Sequence, residues 1–296
     1  WHNHVMRTYP DCLPCLLNNA INMARQAGND ESLPQAVLEA ALKLKPFRGG
    51  VWDTFTPVAT MQTWQALTAL VGDADPLSAK KRGQNEAALR MLPHARRHVA
   101  ESPDPFLTAL KLCILGNVFD TMVGPLVNPS PQLLQDLEAM PLDDANVTEF
   151  RRRLAAASSI VYLSDNCGEV VFDLLFLETL KRTHEVDVVL VAREIPTIND
   201  ATVAEAVEVG MGTVARVIGN GDRRPLPSTD LASCSAEVAR LLTEADLVIS
   251  KGGANYELLS EQQVTAGRIT YLLHGKCRPL CAEHGVQPGG LIVTNG

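Results

Sequence analysis

The chain has 296 residues, of which 46% are hydrophobic and 20% are charged, and its formal net charge is −8. This composition is that of a globular protein with a sizeable core. The acidic balance excludes a general nucleic-acid-binding surface, which needs a basic face, and no apolar run is long enough to span a bilayer. Seven cysteines are too few for a disulfide scaffold and no secretory signal is visible, so we expect a cytoplasmic protein.

The first half of the chain is predicted to be helical. Apolar residues recur at helical spacing in the stretches that begin at Cys12, Glu31, Thr56, Asp75 and Asp104. No strand is expected before about residue 159. We therefore expect residues 6–145 to form a helical bundle.

The second half changes character, because short β-branched runs alternate with helical segments. The runs fall at residues 160–163, 186–192, 213–219, 246–250, 269–273 and 291–294. Apolar runs without alternation indicate strands that are covered on both faces. Strands that alternate with helices predict a parallel, doubly wound sheet over residues 146–296. We expect this region and the bundle to form one integrated unit.

Polar or glycine residues follow each of the first five predicted strands, and the carboxyl ends of parallel strands are where ligands bind in such sheets. Asp165-Asn166-Cys167-Gly168-Glu169 follows the first strand, and the second is followed by Arg193, Asn199 and Asp200. Lys251, Asn255 and Glu257 follow the fourth, and Lys276 follows the fifth. We expect these residues to meet at one edge of the sheet.

The residue types at this edge suit a phosphate held on a hard metal ion. Oxygens of Asp165, Asn166 and Asp200 would form a site for Mg²⁺ or Mn²⁺, which leave room for water and a phosphate oxygen. Arg193 and Lys251 could hold the anion. Such a site favours phosphate ester hydrolysis. Alternatively, the Asp165-Asn166 and Asn199-Asp200 pairs could simply cap the helices that follow them.

Several motifs resemble the DUF89 family, also called the damage-control phosphatase or ARMT1-like family. The resemblance is carried by "SDNCGE", "REIPTIND" and "KGGANYE", and in the helical half by "DPLSAKKRGQNEAAL" and "LGNVFD". "CLPC" near the start resembles the branch of the family with a Cys-x-x-Cys. The resemblance implies a helical bundle packed on a Rossmann-like three-layer α/β/α sandwich with a mostly parallel sheet.

The resemblance also implies a phosphatase that hydrolyses phosphate monoesters of small metabolites, such as sugar phosphates, nucleotides or damaged phosphometabolites. The divalent metal would be Mg, Mn, Co or Ni. The implied metal ligands are Asp165, Asn166 and Asp200, and Asp165 and Asp200 would be catalytic. The implied substrate contacts are Arg193, Lys251, Gly252, Asn255, Glu257, Asn117 and Asp120.

Two other functions stay open at this point. A relative in this family has been proposed to be an S-adenosylmethionine-dependent carboxyl methyltransferase. Binding of the nucleoside in a Rossmann-type site requires a glycine-rich turn after the first strand, whereas the turn here contains Gly168 as its single glycine. Arg193 after the second strand suits a phosphate better than a ribose. The third possibility is a non-catalytic metal- or metabolite-binding protein.

The cysteines are ambiguous in the sequence. Cys12 and Cys15 form one close pair, and Cys277 and Cys281 form another. Two such pairs could hold zinc. The alternative is that they are buried, reduced cysteines.

Overall fold

The computed structural model describes residues 8–49, 52, 54–116, 136, 139–262 and 267–296. The described part of the first region is helical. Its α-helices are α1 (Cys12–Ala27), α2 (Leu33–Ala41), α3 (Thr56–Val71), α4 (Ser78–Glu101) and α5 (Pro105–Leu115), with a 3₁₀ turn at Lys45–Arg48. Helix α6 (Asp144–Ala156) then leads into the sheet.

Six strands form a single sheet in the order β3-β2-β1-β4-β5-β6. The strands are β1 (Ser159–Leu163), β2 (Asp187–Ala192), β3 (Arg216–Gly219), β4 (Leu247–Lys251), β5 (Ile269–His274) and β6 (Leu291–Asn295). The first five are parallel, and β6 pairs antiparallel with β5. The connecting helices are α7 (Glu169–Lys181), α8 (Val203–Glu208), α9 (Ala236–Glu244), α10 (Gly253–Leu259) and α11 (Arg278–Glu283), with a 3₁₀ turn at Met211–Thr213.

This order is that of a Rossmann-type sheet, whose strand order reverses between β1 and β4. All six strands begin and end within three residues of the predicted runs. The predicted α/β fold with a mostly parallel sheet is therefore confirmed. The reversal point matters for function, because the crevice beyond the carboxyl ends of β1 and β4 is where ligands bind in sheets of this kind.

Helix α7 joins the two regions of the chain. It is apolar on nearly every side, and α4 and α5 pack against it. One hydrophobic cluster unites Leu110 and Ile114 of α5 with Phe172 and Phe176 of α7 and with residues of β1 and β4. Phe176 is fully buried, so truncating it to alanine is expected to destabilise the fold by about 3–5 kcal/mol.

In the described part of the chain, no helix is both long enough and apolar enough to cross a bilayer.

Candidate active site

Backbone hydrogen bonds join the loops that follow β1 and β2. The N–H of Cys167 donates to the carbonyl of Asn199 at 2.8 Å, and the N–H of Ala201 donates to the carbonyl of Asp165 at 2.8 Å. A single bridge also pairs Asn166 with Asp200. These bonds bring the three predicted oxygen donors together, although they are separated by a helix and a strand in the sequence.

Asp165, Asn166 and Asp200 lie at the floor of one cleft. Each is nearly buried, with 7%, 4% and 3% of its surface exposed, yet all three line the cleft. The amide Nδ2 of Asn166 donates to Oδ2 of Asp165 at 2.9 Å, which orients the two side chains relative to each other.

The glycine after β4 makes room for this floor. Gly252 has a φ of +81°, and a Cβ atom built on it would overlap with the carboxylate of Asp165. Only glycine satisfies both the backbone conformation and the close approach. Gly252 therefore places the backbone of the β4 loop directly against a predicted metal ligand.

The capping alternative is wrong for both acid–amide pairs. Helix α7 has Gly168 at its N-cap position and no side-chain cap. Helix α8 has Thr202 at its N-cap position, where Glu205 accepts a hydrogen bond from the Thr202 N–H at 2.8 Å. The side chains of the two pairs are thus not explained by helix formation.

Arg193 contacts the residues of the floor from the interior of the protein. Its Nε donates to Oδ2 of Asp200 at 2.6 Å, and its two terminal nitrogens lie 3.4 Å from Oγ1 of Thr229 and Oδ1 of Asn255. Only 3% of its surface is exposed. Because the guanidinium group is committed to Asp200 and its neighbours, Arg193 orients a predicted metal ligand and does not itself line the cleft.

Lys251 is placed differently from its prediction. Its Nζ lies 2.6 Å from Oε1 of Glu169 and 2.6 Å from Oδ1 of Asp173, and it donates to the carbonyl of Cys113 at 2.8 Å. The side chain is fully buried and does not line the cleft. The structure therefore does not support a substrate contact by Lys251, because the carboxylates of α7 hold its charge inside the protein.

Asn255 also forms its hydrogen bonds inside the protein. Its Nδ2 donates to the carbonyl of Lys251 at 2.8 Å, and its Oδ1 accepts from the N–H of Thr229 at 2.8 Å. It is completely buried, so it ties the start of α10 to the neighbouring loop and does not contact the cleft. The other two predicted contacts from the bundle, Asn117 and Asp120, lie outside the described residues.

Glu257 does line the cleft. Together with Asp11, Cys12, Cys15, Thr56 and Cys277, it forms the part of the lining that we call the facing wall. It accepts a hydrogen bond from the hydroxyl of Thr56. Burial raises its pKa from the usual value of 4.5 to about 7. Near neutral pH this carboxyl group therefore exists in both protonation states.

The carboxyl groups at and around the floor of the cleft repel one another. Burial, followed by the charges of Glu169 and Asp200, raises the pKa of Asp165 well above its ordinary value. The charge of Lys276 opposes this rise, and Lys276 lines the cleft. The sequence places Lys276 at this edge of the sheet, but no family motif singles it out. It is the lysine that faces the predicted metal ligands in place of Lys251.

Helix α4 supports both loops of the floor. Oδ1 of Asn85 accepts a hydrogen bond from the N–H of Gly168 at 2.6 Å. Nζ of Lys81, which is fully buried, lies 2.7 Å from Asp75 and 2.8 Å from Glu205. Asn85 thus holds the loop after β1, and Lys81 holds the helix that follows the loop after β2. These contacts explain the motif "DPLSAKKRGQNEAAL".

The side chains at the floor of the cleft offer oxygen donors for a metal ion. Within the described ranges, no group of three or more His, Cys, Asp or Glu side chains could hold one. The predicted set consists instead of two carboxylates and an amide, all oxygen donors on paired loops. This set fits a hard divalent cation that keeps several waters, of the kind that binds through one or two carboxylates and a substrate phosphate.

The absence of a metal-holding group among the described His, Cys, Asp and Glu side chains also gives no support to a zinc site on the cysteines. Cys12, Cys15 and Cys277 line the cleft, whereas Cys281 is buried beside Gly275. The two pairs therefore do not converge on one point.

A Rossmann-type sheet with acid and amide side chains in a cleft at the carboxyl ends of its strands defines an α/β protein with a ligand-binding cleft at that edge. The chain belongs to the family of the damage-control phosphatase ARMT1-like domain, which matches residues 8–292. The family predicted from the motifs is therefore confirmed.

Relatives of known sequence and structure agree with this assignment. A damage-control phosphatase of Archaeoglobus fulgidus is 30% identical over 97% of this chain and 99% of the relative. A damage-control phosphatase of Pyrococcus horikoshii is 29% identical over 97% of each. The crystal structure of a DUF89 family protein from P. horikoshii superposes with a TM-score of 0.82 at 28% identity, over 98% of this chain and 99% of that one. These relatives confirm the predicted class of enzyme, a phosphatase, and do not favour the methyltransferase alternative.

Proposed function

We propose that this protein is a divalent-metal-dependent phosphatase that hydrolyses phosphate monoesters of small metabolites, including damaged phosphometabolites. The observation that carries the proposal is the pairing of the loops after β1 and β2, which brings Asp165, Asn166 and Asp200 to the floor of one cleft. The cleft has a volume of about 230 Å³, which suits a small substrate.

Asp165, Asn166 and Asp200 are proposed to hold the metal, which would be Mg²⁺, Mn²⁺, Co²⁺ or Ni²⁺. When bound, such an ion polarises a phosphoryl oxygen. Arg193 orients Asp200 through the 2.6 Å hydrogen bond to Oδ2. Asp165 and Asp200 are the candidate catalytic carboxylates, because they are the two acids of the floor. A carboxylate can act there as a nucleophile or as a base for water.

The substrate would lie between the floor and the opposite wall. Lys276 is proposed to pair with the phosphate, since it is the cation that lines the cleft near Asp165. Glu257 and Thr56 lie on the facing wall, where a carboxyl and a hydroxyl group can bind hydroxyl groups of the part of the substrate that leaves. Gly252 lies against the carboxylate of Asp165, and the next two residues, Gly253 and Ala254, line the cleft.

We also propose that the helical region 6–145 and the α/β region 146–296 act as one integrated unit. The hydrogen bond from Gly168 to Asn85 and the bond from Lys251 to the carbonyl of Cys113 both cross between the regions. All seven cysteines are described and all are free, which is consistent with a role in the reducing cytoplasm.

The test is phosphate release by chelator-treated protein with each metal added back. The substrates are p-nitrophenyl phosphate and a panel of sugar phosphates, nucleotides and other phosphometabolites. We expect release that depends on added metal and a preferred metabolite within the panel. Absence of release with every metal, together with tight binding of S-adenosylmethionine, would contradict the proposal and favour the methyltransferase.

A further inference from the structure

Thiol groups form part of the wall that faces the metal-binding floor. Cys12 and Cys15 lie in the first turn of α1, and Cys277 occupies the N-cap position of α11. Of the seven cysteines, all of which the structure describes, these three alone line the cleft. The phosphatase chemistry proposed above uses none of them.

Cys12 and Cys15 are close enough for a disulfide to form after a small local change. Residues three apart on a helix have Cβ atoms about 5–6 Å apart, and a disulfide requires about 3.5–4.5 Å. A small adjustment of the first turn, which Asp11 does not cap with its side chain, would close the difference. Cys15 is exposed and Cys12 is half-buried, so an oxidant can reach the pair.

We propose that Cys12 and Cys15 form a reversible dithiol–disulfide pair whose oxidation slows turnover in the cleft. The effect on turnover rests on the proposed phosphatase function, whereas formation of the disulfide does not. With hydrogen peroxide as the oxidant, two S–H bonds break, one S–S bond forms, and peroxide is reduced to two molecules of water. With a small disulfide such as oxidised glutathione, two successive exchange steps release two molecules of the thiol.

The charges around the pair set its reactivity. Desolvation by the surrounding protein, with a further contribution from Glu257, raises the pKa of Cys12 to about 11. The same two causes raise the pKa of Cys15, although part of that residue is open to solvent and the charge of Lys276 opposes the rise. The charged groups near the pair are Asp11, Glu257 and Lys276. Because the thiolate is the attacking form, oxidation should be faster at pH 9 than at pH 7.

The disulfide would change the wall of the cleft. Cys12 and Cys15 both line the cleft that Asp165 also lines, and bond formation must draw their sulfur atoms towards each other. The surface offered to the substrate therefore changes shape without any change at the floor. Turnover should fall while metal binding by Asp165, Asn166 and Asp200 persists.

The experiment treats the reduced full-length protein with hydrogen peroxide, and separately with glutathione redox buffers at pH 7 and pH 9. Mass spectrometry of unreduced peptides locates any disulfide, and phosphate release is measured on the same samples with Mn²⁺. We expect a Cys12–Cys15 link, a fall in turnover of about tenfold or more, and recovery with dithiothreitol. The variant Cys15→Ser should lose the response, measured against its own reduced rate. The control Cys234→Ser, which lies outside the cleft, should keep it.

Failure to form the Cys12–Cys15 link would overturn the proposal, and so would a link that leaves turnover unchanged. If the reduced protein released no phosphate with any metal, the proposed function would fail separately. The peptide map would still decide whether the pair exists.

Discussion

The floor and the facing wall of the cleft are built in different ways. The floor residues Asp165, Asn166 and Asp200 are almost fully buried, and backbone hydrogen bonds and Arg193 fix their loops. The wall contains Cys15, which is exposed, and Glu257, which is partly exposed. A rigid floor suits chemistry that needs fixed donor positions. A more accessible wall suits the selection of substrates and regulation of turnover by oxidants or pH.

The largest expected effect comes from removing a charge from the floor. Asp165→Asn should lower turnover by about 1000-fold or more, which corresponds to roughly 4 kcal/mol. The same variant should raise the free energy of unfolding of the metal-free protein by about 1 kcal/mol or more, because it removes a buried carboxylate and its repulsion from Glu169 and Asp200. Steady-state kinetics and urea unfolding in a chelator measure the two effects. Asp11→Asn, on the facing wall, is the matched control and should change turnover little.

The second test asks whether the buried Lys251 stabilises the fold, in contrast to Lys276 in the cleft. Lys251→Met leaves Glu169 and Asp173 buried without their cation, and should destabilise the fold by about 3–5 kcal/mol. Chemical unfolding measures this change. Normal stability with a selective loss of substrate affinity would instead show that Lys251 binds the phosphate, as the sequence predicted.

Lys276→Met makes the same substitution in the cleft. It should raise KM for a phosphate ester about tenfold or more, roughly 1.4 kcal/mol, and leave the free energy of unfolding nearly unchanged. Kinetics at saturating metal, together with unfolding curves, test this prediction. A loss of stability without a change in KM would show that Lys276 is structural.

The support of the floor by α4 can be tested at Asn85. Asn85→Ala leaves the N–H of Gly168 without its partner, which should raise the metal concentration for half-maximal activity by about tenfold. Metal titrations of activity measure this shift. Arg90→Ala, an exposed change on the same helix, should have no effect. Equal metal requirements in both variants would exclude a role for Asn85 in positioning the loop.

Glu257 should make the stability of the protein depend on pH. Its pKa in the folded protein, about 7, is above the unfolded value near 4.5, so the folded state keeps a proton that the unfolded chain releases. Its contribution to stability is therefore complete below about pH 4.5 and is lost as pH rises through 7. Wild type should lose about 2–3 kcal/mol over this range relative to Glu257→Gln. Urea unfolding at pH 5 and pH 8 measures the difference, and exposed Glu31→Gln is the control.

The sheet was predictable from sequence because its strands are short β-branched runs bounded by polar loops. The position of Asp165 and Asp200 was equally predictable, since parallel strands deliver their carboxyl ends to one edge. The direction of the Lys251 side chain could not be predicted, because a lysine at the end of a strand has the same sequence pattern whether it faces the core or a cleft. One signal was present: Glu169 and Asp173 lie four apart in the mostly apolar first half of α7, and two buried acids on one face require a cation.

The facing wall could not be predicted. Cys12 and Cys277 come from opposite ends of the chain, and only tertiary packing brings them to one cleft. The pairing of Asn85 with Gly168 is also a long-range contact, for which the motif gave a position but no partner.

The most direct test of the metal-binding floor is a titration of chelator-treated protein with Mn²⁺, followed by electron paramagnetic resonance of the unbound ion. We expect one tightly bound Mn²⁺ per chain in the wild type, and binding that is lost in Asp165→Asn but kept in Glu257→Gln. Equal Mn²⁺ binding by the wild type and Asp165→Asn, or no binding by either, would contradict the assignment of Asp165, Asn166 and Asp200 as the metal site.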